Sequence, residues 1–142
     1  MNKQIRFLSL MALACVMILA SGCSAPKPAG LTDDQVASVT ENTLKALEAN
    51  DFKAFTQDYS DQMNKVFSQE QFTKLQGMVQ SASGKYVSLG KPTLSNNQGY
   101  AVYRFPAKYE NETVYVTITF LVGGQKIEGE FFDSVNLRKL SQ

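Results

Sequence analysis

Residues Tyr100–Ser134 read YAVYRFPAKYENETVYVTITFLVGGQKIEGEFFDS, three runs in which apolar and polar side chains alternate. Alternation with a period of two is typical of β-strands that bury one face. The runs are separated by Glu110-Asn111 and by Gly123-Gly124, which are placed for tight turns between antiparallel strands. The pattern therefore predicts a three-stranded meander, with strands at Tyr100–Tyr109, Glu112–Val122 and Gln125–Ser134.

One register of these strands separates the apolar from the polar side chains. On one face it predicts three cross-strand rows, which are Phe105, Val116 and Phe131; Tyr103, Ile118 and Gly129; and Ala101, Phe120 and Ile127. On the opposite face it predicts the rows Arg104, Thr117 and Glu130, and Val102, Thr119 and Glu128. A slip of one residue would move every side chain of a strand to the other face, so this separation specifies the register.

The chain before the meander has a helical period instead. Thr32 and Gln35 form a capping box, and the acidic pair Asp33-Asp34 suits the positive end of the helix that follows. Capping accounts for these carboxylates, so they are not candidates for catalysis. The apolar face of this first helix is predicted to consist of Val36, Val39, Thr43, Leu44 and Leu47.

Two further helical segments are predicted downstream. Asp51 caps the first, which bears Phe52, Phe55 and Tyr59 and continues through Met63, Val66 and Phe67. Ser68 and Gln71 form a second capping box for the next, and Gly84 ends it. Its apolar stripe is predicted to consist of Phe72, Leu75, Met78 and Val79. We interpret these stripes as core packing rather than as a cofactor site.

A further strand is predicted at Tyr86–Leu94. Gly90 and Pro92 indicate a bulge or a break in it, and Asn96–Gly99 a turn before the meander. Helices followed by a four-stranded antiparallel sheet predict an α+β architecture with a single domain over residues 31–142.

The first 22 residues have the three parts of a secretory signal peptide. Lys3 and Arg6 give a positive start, Phe7–Ala20 is apolar, and the small residues Ala20-Ser21-Gly22 precede Cys23. A membrane-spanning helix needs about 20 apolar residues, more than this run offers. The pattern resembles a bacterial lipoprotein signal, which implies cleavage before Cys23 and a lipid thioether on its sulfur. Residues 23–30 would then form a lipidated tether, and the domain would be anchored to a membrane of the cell envelope on its extracytoplasmic side.

The composition of the mature chain excludes several classes of function. Removal of residues 1–22 leaves 12 of the 14 basic residues against 13 acidic ones, a balance that does not favour nucleic acid as a partner. There is no histidine, Cys15 would be removed, and Cys23 would carry lipid. Disulfides, thiol catalysis and cysteine or histidine metal sites are thereby excluded. We predict no metal centre and no cofactor.

A family resemblance rests on the helical segments. The motifs that carry it are Ala49-Asn50-Asp51-Phe52, Phe55, Tyr59, Met63, Phe67–Phe72, Leu75 and Gly84-Lys85-Tyr86. Over residues 36–133 they resemble domain-of-unknown-function family 3887. The resemblance implies a fold similar to the cystatin-like, nuclear-transport-factor-2-like cone, in which helices close over a curved sheet. It implies no catalytic residues.

The predicted inner face contains a candidate ligand site. Gly129, beside Tyr103 and Ile118, would remove side-chain volume there, and a small apolar ligand could approach the gap. The interpretation that we favour for Gly129 is a bulge that curves the sheet, or room for a helix aromatic. An acid–base enzyme using Asp58, Tyr59 or Tyr86 inside such a cone is conceivable by fold analogy alone.

The predicted outer face contains a candidate partner surface. Pro106, Tyr115 and Phe132 would form one row, suited to a protein partner or to a homodimer. The alternative is that the C-terminal tail folds back over this row with Val135, Leu137 and Leu140. On the same face, Arg104 and Glu130 would form a surface ion pair. Three hypotheses follow for the domain: a binding module for a small apolar ligand or a protein, an enzyme of small apolar substrates, and a structural, dimeric envelope component.

Overall fold

The computed structural model describes residues 25–140, in which five helices and five strands form an α+β fold. The helices are α1 Asp33–Glu48, α2 Phe52–Thr56, α3 Asp61–Val66, α4 Gln69–Ser83 and α5 Val135–Leu140. The strands are β1 Tyr86–Leu89, β2 Thr93–Asn97, β3 Tyr100–Tyr109, β4 Thr113–Leu121 and β5 Ile127–Asp133.

The predicted helix starts are confirmed. Thr32 caps α1 and Ser68 caps α4, each with a complete capping box, and Asp51 caps α2 through a bond from the Ala54 amide. The segment predicted to run from Asp51 to Phe67 is two helices rather than one. Ser60 interrupts it, because its side chain accepts a hydrogen bond from the Met63 amide and caps α3.

The sheet is antiparallel throughout, with the order β1-β3-β4-β5 and with β2 also paired to β3. The predicted strand Tyr86–Leu94 is therefore two strands, and the sheet has five strands rather than four. The break falls at the predicted place, where Gly90 donates its amide to the Pro106 carbonyl at 2.8 Å between β1 and β2. A side chain at Gly90 would collide with the Pro106 ring.

The predicted register is right for β3 and β4 and wrong for most of β5. Tyr103 pairs with Ile118 and Phe105 with Val116, as predicted. Phe120 pairs with Ile127, but Thr119 pairs with Gly129, so Glu128 is an extra residue in β5. This β-bulge reverses the two faces of the strand beyond it.

Side chains beyond the bulge accordingly lie opposite to their predicted faces. Glu130 lies beside Ile118 on the inner face and Phe132 beside Val116, whereas Gly129 and Phe131 lie on the outer face. Phe132 is buried and Phe131 is 64% exposed. The predicted inner position of Gly129 and the predicted outer position of Phe132 were both wrong, for this one reason. The alternative interpretation of a bulge at this point is the one that the structure confirms.

The core lies between the inner face of the sheet and the helices. It includes a group of aromatic rings around Phe55, whose centroid is 5.1 Å from that of Phe72, 5.6 Å from that of Tyr59 and 5.7 Å from that of Phe67. Strand residues on the inner face complete the core, with Tyr103, Phe105, Ile118 and Phe120 fully buried.

The C-terminal tail forms a short helix at one end of the sheet. Leu137 is buried, while Val135 and Leu140 are 61% and 55% exposed. Helix α5 contacts α4, and Glu112 fixes both helices, because its carboxylate accepts bonds from Ser83 and Ser134 at 2.7 Å each. The predicted alternative, in which this tail covers the outer face, is therefore not the arrangement found.

Residues 27–30, which the sequence assigns to the tether, are bound to the opposite end of the sheet. We call this segment the strap. The Lys27 amide donates to Asn96 Oδ1 at 2.6 Å, and the buried Ala29 donates its amide to the Tyr103 hydroxyl at 3.1 Å. The strap also forms backbone hydrogen bonds with the β4–β5 turn. The Gly123 amide donates to the Pro28 carbonyl, and the Gly30 amide donates to the Gly124 carbonyl. It thereby fixes where the chain enters the fold.

No helix within residues 25–140 is long and apolar enough to cross a membrane. The predicted signal peptide and Cys23 lie outside the described residues.

Candidate functional site

The Glu128 bulge places one carboxylate inside the domain. The Glu130 side chain reaches between the sheet and the helices, where Oε1 accepts a bond from Thr43 Oγ1 at 2.9 Å. Its other oxygen, Oε2, accepts a bond from the Tyr59 hydroxyl at 2.8 Å. Three separate elements, α1, the α2–α3 connection and β5, therefore meet at this carboxylate.

The electrostatics of Glu130 differ from those of a surface acid. The residue as a whole is half-buried, but its carboxylate is enclosed, and burial raises its pKa from the ordinary 4.5 to about 7. The bonds from Tyr59 and Thr43 oppose this shift, because they stabilise the charged form. The group therefore changes its protonation near neutral pH.

Two tyrosines near this carboxylate are held in their neutral form. Burial, followed by the charge and hydrogen bond of Glu130, raises the pKa of Tyr59 far above its usual range. Burial likewise raises the pKa of Tyr109, with smaller contributions from Tyr86, Glu130 and Glu48. At neutral pH these hydroxyls can donate hydrogen bonds, but they cannot act as ionised bases.

The inside of the cone is nearly full. A cleft between α1, α4 and the sheet leaves a volume of about 20 Å³ beside Leu44, Val79 and Tyr109, enough for roughly one water molecule. Every buried side-chain nitrogen or oxygen within residues 25–140 has a hydrogen-bond partner. The predicted gap for a small apolar ligand is not present here, because Gly129 lies on the other face.

A larger depression lies outside the cone. A groove of about 590 Å³ separates the start of α1 from the β1–β2 connection. Its lining includes the carboxylates of Asp33, Asp34 and Glu41 together with Lys91. The rest of the lining, Ala37, Leu89, Gly90 and Pro92, is apolar or small, so the groove has a mixed surface. No group of three acidic or sulfur side chains in the described part of the chain could hold a metal ion.

Tyr103, predicted to face a ligand, uses its hydroxyl within the fold. The side chain is fully buried, its ring packs edge-on against Phe120 at 6.0 Å, and its hydroxyl accepts the Ala29 amide of the strap. The structure therefore brings Tyr103 to the strap and does not bring it to Gly129.

The outer face of the sheet combines two exposed aromatic rings with charges. Pro106 pairs with Tyr115 as predicted, but the next residue in this row is Asp133 and not Phe132. Tyr115 is 38% exposed and carries the Arg104 guanidinium 3.8 Å above its ring. Arg104 also lies 3.9 Å from Asp133, which replaces the predicted ion pair with Glu130.

Sequence reasoning missed Glu130 and Phe131 for the same reason, since the bulge exchanged their faces. The available signal was Gly129, because a glycine inside a strand marks bulges. Glu128 and Glu130 flank that glycine and would share the outer face in a regular strand. Only a bulge at Glu128 places one of the two carboxylates, that of Glu130, on the inner face.

Asp58, Tyr59 and Tyr86 were named for acid–base chemistry, and they do not converge. Tyr59 meets Glu130, whereas Tyr86 lies 3.5 Å from Glu41 on α1, and burial with that contact raises the pKa of Tyr86 to about 12. Asp58 lies 3.9 Å from Lys126 on the surface.

Comparison with known proteins gives a family. No curated protein matches this sequence. A family model described as a protein of unknown function, DUF3887, matches residues 40–129, a stretch that includes most of α1, the aromatic core and the sheet as far as Gly129. The chain therefore belongs to the DUF3887 family.

Proposed function

We propose that this protein is a cell-envelope lipoprotein, anchored through lipid on Cys23, and that its domain is a binding module for a protein partner. The signal-like segment before Cys23 supports the anchor. The observation that carries the binding proposal is the lack of internal space: the cleft between α1, α4 and the sheet has a free volume of only about 20 Å³, and Gly129 opens no gap on the inner face. Pockets for small ligands are usually 300–1,000 Å³. A ligand or substrate therefore has too little room in this cleft, and we place recognition on the surface.

The outer face of the sheet is the surface that suits a protein. Phe131, Tyr115 and Arg104 lie on it, and aromatic and arginine side chains carry much of the binding energy in protein interfaces. The guanidinium stacked on the Tyr115 ring fixes both side chains before binding, which reduces the entropy lost on association. Thr117 and Thr119 between them are small and keep the face open.

An enzyme of small apolar substrates has less support from the geometry. Glu130 has the protonation behaviour of a general acid or base, with a pKa near neutrality. Both of its oxygens are already engaged by Thr43 and Tyr59, however. A substrate would have to displace these contacts.

Replacing Cys23 tests the anchor. We expect Cys23→Ser to accumulate the uncleaved chain and to remove the mass of the added lipid, because an oxygen nucleophile does not form the thioether. Cell fractionation and intact mass measure both effects. Cys15→Ser is the matched control, since Cys15 lies in the segment predicted to be removed, and it should behave like the wild type. A Cys23→Ser protein that is processed and still membrane-bound would contradict the anchor.

The partner proposal is tested by native mass spectrometry and crosslinking of the lipidated protein extracted in mild detergent. We expect a complex with another protein that Phe131→Asp weakens at least tenfold, because a charge would be buried at the contact. Val66→Asp, at an equally exposed apolar residue on α3, should leave the complex intact. A dimer mass would identify a second copy as the partner. A co-purifying small molecule, or a complex insensitive to Phe131→Asp, would overturn the proposal.

A further inference from the structure

We propose that the end of the domain bound by the strap is its membrane-facing surface, with Tyr100, Leu121 and Val122 in contact with the lipid bilayer. This end, which we call the strap end, consists of the strap, the β2–β3 turn and the β4–β5 turn. The inference rests on the proposed lipid anchor at Cys23 and adds an orientation to it.

The strap fixes the exit point of the chain. Asn96 Nδ2 donates to the Lys27 carbonyl at 2.8 Å, and its Oδ1 accepts the Lys27 amide at 2.6 Å, so the Asn96 side chain holds Lys27 from both sides. The backbone bond from Gly30 to Gly124, at 2.7 Å, holds the other end of the strap. The two turns are themselves joined, because Val122 donates its amide to Gly99 at 3.0 Å.

The short connection from Cys23 limits the orientation of the domain. A fully extended chain covers at most about 3.6 Å per residue, so the four steps from Cys23 to Lys27 span roughly 14 Å. Strand β3 has ten residues and is about 30 Å long. While the strap is docked, the strap end therefore stays within roughly 14 Å of the membrane that holds Cys23, whereas the tether does not hold the turn at Glu110-Asn111, at the far end of this strand, near it.

The chemistry of the strap end suits lipid contact. Leu121 is 47% exposed, and Tyr100, its cross-strand neighbour, and Val122 are each 37% exposed. Tyrosine is favoured at the boundary between lipid and water, where its ring is apolar and its hydroxyl stays hydrated. Lys27 is also exposed here, and the acidic pair Asp33-Asp34 follows the strap closely. Because Lys27 does not outweigh these two carboxylates, the expected contact is apolar rather than electrostatic.

The lipidated protein offers a direct experiment, because a mature chain with lipid on Cys23 has no free thiol. A cysteine is introduced at the strap end by Val122→Cys or at the far end by Asn111→Cys, both exposed positions. Each is labelled with an environment-sensitive fluorophore and reconstituted into phosphatidylcholine vesicles that contain a headgroup spin label. We expect quenching at residue 122 to be at least threefold stronger than at residue 111, with little dependence on salt.

Releasing the strap should remove this difference. A side chain at Gly30 would overlap the Gly123 carbonyl oxygen, so Gly30→Ala is expected to undock the strap, whereas a side chain at Gly77 would meet open space. With Gly30→Ala, the ratio of quenching at residue 122 to quenching at residue 111 should fall towards one. With Gly77→Ala, this ratio should not change. Equal quenching at both positions in the parent, or none at either while the protein floats with the vesicles, would overturn the orientation and leave the anchor standing. A protein that does not float with the vesicles would overturn both.

Discussion

Replacing Phe55 by alanine is expected to lower the free energy of unfolding by about 3–5 kcal/mol, as is usual for a large aromatic side chain removed from a packed core. Phe55 is fully buried, and its ring contacts those of Tyr59, Phe67 and Phe72. These rings come from α2, α4 and the connections around α3, so the cavity would lie where the helices meet. Domains of this size are commonly stable by only about 5–15 kcal/mol, so the loss would be a large share of the total.

Urea unfolding followed by circular dichroism measures this loss. Phe131→Ala is the matched control, because it removes the same side chain from a position that is 64% exposed. We expect the control to change the stability by no more than about 0.5 kcal/mol. A Phe55→Ala variant as stable as the control would show that the aromatic group does not hold the helices together.

Replacing Glu130 by glutamine is expected to remove most of the pH dependence of stability between about pH 4.5 and 7. The pKa of Glu130 is raised in the folded state to about 7, so the folded protein retains a proton that the unfolded chain releases near 4.5. Stability from this group is therefore fully present below about pH 4.5 and is lost as the pH rises through 7. The raised pKa corresponds to a decrease in the free energy of unfolding on the order of 3 kcal/mol between low and neutral pH.

Denaturant midpoints measured from pH 4.5 to 8 test this expectation. The glutamine side chain has a similar shape and stays neutral like the protonated acid, so Glu130→Gln should have a stability similar to the wild type at pH 4.5 and a higher one at pH 8. Glu70→Gln, at an exposed residue in the first turn of α4, should retain the wild-type profile. Glu112 affects the stability at lower pH and with the opposite sign. Burial would raise its pKa, but hydrogen bonds from Ser83 and Ser134 outweigh burial and lower it, so the stability from Glu112 is lost as the pH falls. A wild-type stability that does not fall between pH 5 and 8 would contradict the buried, ionisable Glu130.

Local signals were sufficient to predict much of the fold. The capping boxes that begin at Thr32 and Ser68 depend on residues three positions apart, and both are present. The register of β3 on β4 follows from uninterrupted alternation across a two-residue turn, and it is correct. In β5, one extra residue reversed the alternation, so the same reasoning placed Glu130 and Phe132 on the wrong faces.

Other features depend on contacts that no local pattern contains. The strap is held by Asn96, Tyr103 and the β4–β5 turn, which lie about 70 to 95 positions along the chain from it. The surroundings of Glu130 are likewise assembled from Thr43 and Tyr59, 87 and 71 positions away. The candidate site could therefore be assembled only from the three-dimensional structure.

If the chain is exported as we propose, the strap also implies an order of events. Its partners Gly123 and Gly124 follow it by more than 90 positions, so a protein that crosses the membrane from its N-terminus cannot close the strap until β4 and the turn after it have emerged. Until then the strap is undocked, so the proposed modification and cleavage at Cys23 would take place on the undocked chain. Because closing so long a loop is slow compared with forming a helix or a hairpin, strap docking is expected to be a late step of folding. Lipid attachment would precede it, and the domain would settle onto the bilayer only once its own C-terminal strand had formed.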